Sequence, residues 1–307
     1  MVNDSTILMG SGMELEEKLS SWIGPSSPTE QDRQDRTERM IREGIKEHTA
    51  FQGCDLAVYA KGSYANNTNV RTDSDVDIAV QCGEAMYWDE ATKGAHPPSG
   101  SYTGIWTPPR LRSELEAALK AKFPGQVDSS GSTAFRIRSG SARVDADVVP
   151  CFDYRYYISA NNYREGAKVF KKNGASLQNY SQKQLENGRA KNTRTTQYYK
   201  NAVRIMKRVE NAMVSEGVHR VVPSFFIECL VYNCPDSVFL ASTWVKTIEG
   251  VIVHIWGELQ GDEPSVDSKR WLEVSECKYL FHSAQDWDRQ DGRDFVKAAW
   301  NYLGYAA

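Results

Sequence analysis

Across residues 75–80 polar and apolar side chains alternate, Asp75 and Asp77 against Val76, Ile78 and Val80. Period two is the mark of a strand, and it puts both carboxylates on one face and the branched residues on the other. Leu56-Ala-Val-Tyr-Ala60 predicts a short buried strand before it, with Lys61-Gly-Ser-Tyr64 as the turn and short helix between the two. Phe135–Arg138 and Ala142–Val149 read as a second strand pair around Ser139-Gly-Ser141. From Cys82 to Pro109 glycine, proline, serine and aromatic residues follow no period, which predicts a long irregular insertion.

Helical spacing takes over elsewhere. Ser27-Pro-Thr-Glu30 is a helix start, with serine as cap, proline at the first helical position and glutamate able to close a capping box. The helix it opens, to about His48, has only Met40, Ile41 and Ile45 as a sparse apolar stripe, so it is expected on the surface, bridging two lobes. Leu111, Leu115, Ala118 and Leu119 mark a second helix, and Tyr199, Ala202, Met206, Val209 and Met213 the best one. Trp244 to Leu259 and Phe295 to Leu303 give two more. Strands are expected to give way to helices near residue 160, hence two domains, 1–160 bearing the strands and 161–307 helical, and an α+β fold class.

A chain of 307 residues with 40% hydrophobic content can bury a large core or two modest ones without staples. The net charge of −3 excludes the strongly basic footprint of a duplex-binding surface. The six cysteines form no CxxC pair and read as free thiols of a reducing cytosol. With no signal-peptide pattern and no apolar run near ~18 residues, the expectation is a cytoplasmic protein without a membrane partner.

Two carboxylates on one strand face repel, and they raise each other's pKa unless a cation sits between them, so the pair points to a divalent metal site. The Gly62-Ser63 turn offers backbone N–H groups and a hydroxyl to a nucleotide's phosphates. A two-metal site also needs a third carboxylate, for which Asp145 and Asp147 both qualify, on alternate residues of the later strand. A single surface aspartate is ordinarily just solvated; three in strands beside a glycine-serine turn are another matter, because carboxylates disfavour strand interiors. On the best helix Lys200, Arg204 and Lys207 line up as a basic stripe, whose bland reading is a solvated face.

Gly62-Ser63 followed by Asp75-x-Asp77 resembles the signature of polymerase-beta-like nucleotidyltransferases, and Asp147-Val-Val-Pro-Cys-Phe152 the strand bearing their third metal ligand, which selects Asp147. With Gly62–Arg71, Asn187–Asn192, Val203–Lys207, Ser224–Asn233 and Trp300–Gly304, the chain resembles bacterial CD-NTases, relatives of cyclic GMP–AMP synthase that serve anti-phage (CBASS) signalling, and most of all their CdnE clade. The resemblance implies a bilobal enzyme holding two nucleoside triphosphates in a central cleft. Two Mg²⁺ (or Mn²⁺) would sit on Asp75, Asp77 and Asp147, and two transfers would close a cyclic dinucleotide. Gly62 and Ser63 would contact the donor triphosphate, Lys207 and Ser224 would hold phosphate with Lys200 on the same stripe, and Phe225 would stack on the donor base. An asparagine that reads a uracil edge is expected at Asn187, with Asn192 second, so ATP and UTP would give cyclic UMP–AMP. The bland readings are a cap or turn for the asparagines and core packing for Phe225. A monomer whose product is read by a separate effector is expected, and direct DNA activation is not, because the sequence shows neither the zinc-bearing segment nor the basic duplex surface of the animal relative. The competing functions are a linear oligonucleotide synthase or RNA-tailing enzyme, and a silent nucleotide-binding sensor.

Overall fold

The computed structural model of the chain describes residues 4–25, 27–70, 75–97 and 99–305, with the side chains of the first helix described from Met13 onward. These residues divide into two compact units: those within 26–66 and 71–183, and those within 1–25, 67–70 and 184–307.

The first unit is built on a seven-stranded sheet of β1 (Leu56–Lys61), β2 (Val76–Glu90), β3 (Val127–Asp128), β4 (Phe135–Ile137), β5 (Ala146–Ser159), β6 (Asn162–Phe170) and β7 (Ser176–Asn179). Strand β2 lies antiparallel to β1 and parallel to β5, and the other edge of β5 is shared by β4 at its start and β6 further on. Val76, Ile78, Val80, Ala146 and Val148 are buried in one core with Ile41, Leu111, Leu115 and Leu119. The last four come from α2 (Pro28–Glu47) and α4 (Pro108–Lys122), which cover that face. Between β1 and β2 lies α3 (Gly62–Ala65). Ser27 accepts the Glu30 N–H at the start of α2 as the sequence predicts, and α2 and α4 come close where Gly44 meets the Lys122 stem, 2.8 Å from where a Cβ would stand. Helix α2 lies wholly in this unit.

Three expectations are corrected. Residues 82–90 continue β2, and the register against β5 shifts between Cys82 and Met86, which breaks the period that would have revealed the strand. The sheet also runs past residue 160 to Asn179. In β6 only Ala167 and Val169 are buried, so little apolar alternation was there to read. Finally, α1 (Asp4–Ser21) packs on α8 (Trp244–Glu258) of the helical unit rather than joining the sheet, because Leu19 enters that core and the Glu16 carboxylate accepts the Trp244 and Val245 N–H groups that α8 leaves unpaired.

The second unit also holds α5 from Gln184 onward (the helix spans Ser181–Arg194), α6 (Tyr198–Ser215), α7 (Ser224–Tyr232) and α9 (Arg289–Tyr302). All five apolar positions predicted for α6 are fully buried, and Lys200, Arg204 and Lys207 are buried as well. Helix α6 is therefore surrounded, and the basic stripe is not a solvated face. Residues 67–70 pack with this unit, with Thr68 completely buried. Among the described residues no helix is long and apolar enough to cross a membrane.

Candidate active site

Pairing of β2 with β5 sets Asp77 directly opposite Asp147. Their apolar neighbours Ile78 and Val148 point into the helix-covered core, so both carboxylates emerge on the other face. Asp75 stands one residue before β2. Burial raises the pKa of Asp147, and the charges of Asp77 and Asp75 raise it further. Asp75 is likewise raised by burial and by Asp145 and Asp77, with Arg136 pulling the other way. The three charges act on one another, so they share one patch.

Two cations flank them. Lys61, the last residue of β1 and paired in register with Asp77, places its ammonium 3.1 Å from Asp77 Oδ1. Arg136, opposite Asp147 on β4, lies 3.8 Å from Asp75 and 2.6 Å from Asp145. Asp145 also accepts the Ser139 N–H, and although burial pushes its pKa up, these partners hold it below the ordinary carboxylate value. Between the two candidates of the later strand, Asp145 is already neutralised by protein groups, whereas for Asp147 burial and the neighbouring aspartates outweigh the pull of Arg136 and Lys61.

Gly62 follows Lys61 with a φ of +69°, and a Cβ there would fall 2.4 Å from Asp77 Oδ2. Only glycine permits both the backbone turn and the contact. The α3 turn carrying Ser63 is thereby pressed against the Asp77 carboxylate. Among the described residues no three acidic, histidine or cysteine side chains are drawn together as a formed metal cluster. The donor set nonetheless fits Mg²⁺: carboxylate oxygens only, with two of the three held above their ordinary pKa by desolvation and mutual repulsion.

The remaining candidates lie in the helical unit. Lys207 does not have a donor to offer a phosphate. Its ammonium, 3% exposed, gives its three hydrogen bonds to Thr68 O, Thr68 Oγ1 and Glu228 Oε2 at 3.1, 3.1 and 3.0 Å. Glu228 in turn accepts from Thr68 Oγ1 and Gln184 Nε2. Arg204 is tied to the carbonyls of Ile23 and Asn67 and to Asn201. Lys200 alone of the stripe has no hydrogen bond or ion pair to its ammonium among the described residues, and burial, with Arg189 and Arg204 adding to it, lowers its pKa to about 8.

Asn187 donates its amide to the Val274 carbonyl at 2.9 Å. In Asn192, Oδ1 accepts the Lys200 N–H and Nδ2 donates to Gln197, so this buried amide serves the start of α6. Ser224 is the exposed first residue of α7, and Phe225, half-buried, meets the Trp287 ring edge-on at 6.3 Å.

Lys61, Arg136 and Glu228 were not singled out from the sequence. Glu228 did leave a signal, a lone carboxylate in the apolar run Ser224-Phe-Phe-Ile-Glu-Cys-Leu-Val231, which demands a buried partner.

Residues 186–304 match the family model of the cGAS/DncV-like nucleotidyltransferase C-terminal helical domain. The chain is 34% identical over 297 residues to the cyclic dipyrimidine nucleotide synthase CdnE of Legionella pneumophila, covering 95% of this chain and 98% of that one. It belongs to the CD-NTases, in the CdnE clade. Two solved members share its fold: the Rhodothermus marinus CdnE c-UMP-AMP synthase with Apcpp and Upnpp (TM-score 0.82, 27% identity, 95% of this chain and 97% of that one) and the Elizabethkingia meningoseptica CdnE cyclic dinucleotide synthase with GTP and Apcpp (TM-score 0.77, 29% identity, 94% and 99%). The expected α+β nucleotidyltransferase fold with a helical C-terminal domain is thus observed. The chain is an enzyme of this class, a cyclic dinucleotide synthase that binds nucleoside triphosphates, and the relatives differ in their products.

Proposed function

We propose that this CD-NTase joins UTP and ATP into cyclic UMP–AMP, at a centre where Asp75, Asp77 and Asp147 hold two Mg²⁺ ions. The observation that carries the centre is the in-register pair Asp77 and Asp147, with Gly62 packed on one carboxylate of it. Bound metals would supply charge neutralisation of the triphosphate and a more acidic attacking hydroxyl. The chain's own residues would position them: parallel strands fix the two aspartates side by side, and Ser63, next to Gly62 on the α3 turn, would be the phosphate contact. In the helical unit Lys200 and Ser224 are the phosphate-contact candidates that remain, and Phe225 keeps a half-buried ring suited to stacking on a base. Asn187 has one amide N–H and its carbonyl left for a uracil edge after its bond to Val274. The product serves as a messenger for a downstream effector in anti-phage defence, and the enzyme works as a cytoplasmic monomer.

A dipyrimidine product is the second reading, favoured by the extent of the similarity to the Legionella enzyme. Incubation with all four labelled nucleoside triphosphates and Mg²⁺, followed by phosphatase and mass analysis, separates the two. Cyclic UMP–AMP is expected as the main product; a purine-only dinucleotide would overturn both readings. The double variant Asp75→Asn/Asp77→Asn is expected to fold and release no pyrophosphate.

A further inference from the structure

Among the described residues, Lys61 and Arg136 are paired with the acids of the carboxylate centre, but not in the same way. Arg136 is half-exposed, shared between Asp75 and Asp145, and bonded more closely to Asp145, so it can stay where it is whatever Asp75 binds. Lys61 is different. Its side chain is only 15% exposed, and Asp77 Oδ1 is the acceptor the structure gives its ammonium among the described residues. Its charge also reaches Asp147 and the fully buried Cys151, lowering the pKa of both against burial. It therefore lies over the face of β1, β2 and β5 that carries the acids. Asp77 is held on both sides, Oδ1 by this ammonium and Oδ2 against Gly62, so an ion that takes up Asp77 competes with Lys61 for Oδ1.

We propose that Lys61 is the resident counter-ion of the carboxylate centre: it holds Asp77 until a divalent cation takes that carboxylate, and its ammonium then passes to the triphosphate of the nucleotide bound there. The proposal rests on the reading of Asp75, Asp77 and Asp147 as metal ligands. The physical reason for the transfer is desolvation. An ammonium largely covered by protein cannot be left without an anion, and a phosphate oxygen arriving with the metal replaces the carboxylate it loses. The position of Lys61, immediately before the Gly62-Ser63 turn, puts this point charge beside the residues proposed to bind phosphate. Exchange is feasible because a partly exposed ion pair is weak, whereas a divalent ion with several carboxylate oxygens binds strongly.

The test uses the full-length chain and Mn²⁺ as the probe, its binding followed by electron paramagnetic resonance without nucleotide. Lys61→Met is expected to bind Mn²⁺ about fivefold more tightly than the wild type, because the competing cation is gone, while the affinity for α,β-methylene ATP with Mn²⁺ falls about tenfold. Lys61→Arg is expected to restore most of the nucleotide affinity. Lys168→Met, which removes a charge paired with Asp89 instead, controls for net charge and should leave Mn²⁺ binding unchanged. Lys61→Gln serves as a second variant if the methionine variant does not fold. Unchanged or weaker Mn²⁺ binding on loss of Lys61, equal tightening in Lys168→Met, or an unchanged nucleotide affinity would overturn the proposal. A wild type that binds no Mn²⁺, or binds it as well after Asp75→Asn/Asp77→Asn, would instead overturn the metal-ligand reading and the proposal with it.

Discussion

Removing Lys207 distinguishes a lysine that holds the helical unit together from one that grips a substrate phosphate. Its partner Glu228 is 2% exposed and has two further hydrogen bonds, from Thr68 and Gln184. In Lys207→Met the carboxylate keeps those bonds but loses its counter-charge inside the protein, which costs about 3–5 kcal/mol for a buried pair broken on one side. At about 2–4 °C per kcal/mol for a unit of this size, the melting temperature falls by roughly 10 °C. The pH dependence makes the reasoning sharper. In the wild type burial pushes the Glu228 pKa up, but Lys207 and the hydrogen bonds hold it below its ordinary 4.5. Its stabilising contribution is therefore present above 4.5 and is lost only as pH falls through the depressed value. Without Lys207 burial is no longer opposed by a buried cation and the pKa rises, so the variant is relatively stable in acid and loses stability as pH climbs through the raised value. The gap between the two proteins is widest at neutral pH and shrinks steadily in acid, closing as the pH falls through the depressed wild-type value. Urea unfolding at a series of pH values reads this directly. A gap below about 1 kcal/mol at pH 7, or one that does not shrink in acid, would refute the structural role. So would an intact melting profile accompanied by a raised KM for nucleotide, the signature of a phosphate contact.

Two other substitutions test the remaining candidate residues. Gly62→Ala forces a Cβ into the left-handed region and onto the Asp77 carboxylate, so a loss of at least 1 kcal/mol in denaturant unfolding, with a drop in kcat larger than any change in KM, is expected. Lys200→Met is expected to stabilise the protein below pH 8 and to lose that advantage as pH rises from about 8 toward 10.5, because the wild-type ammonium is held in a desolvated place with its pKa lowered to about 8 while the unfolded chain still binds the proton. Thermal melts at pH 7 and 10 measure this, and a stability difference independent of pH would contradict it.

The local pattern alone determined several features of this protein. The alternation at Asp75–Val80 gave the strand and its acidic face, the 3.6-residue spacing gave α4, α6, α8 and α9, and Ser27-Pro gave the start of α2, because each depends on neighbours a few residues away. The family was also legible, since its motifs run through much of the chain. What period and propensity could not reveal are facts about who lies opposite whom. The continuation of β2 was hidden by a register shift, and β6 by its polar exposed edge. The juxtaposition of Asp77 with Asp147, seventy residues on, exists only through strand pairing, as does the placing of Lys61 against Asp77. The basic stripe shows the difference most plainly: the sequence put Lys200, Arg204 and Lys207 on one face of a helix, but whether that face met water, a phosphate or a buried glutamate depended on Thr68 and Glu228, brought in from other parts of the chain. A charge is interpreted by its surroundings, and surroundings are made by tertiary packing.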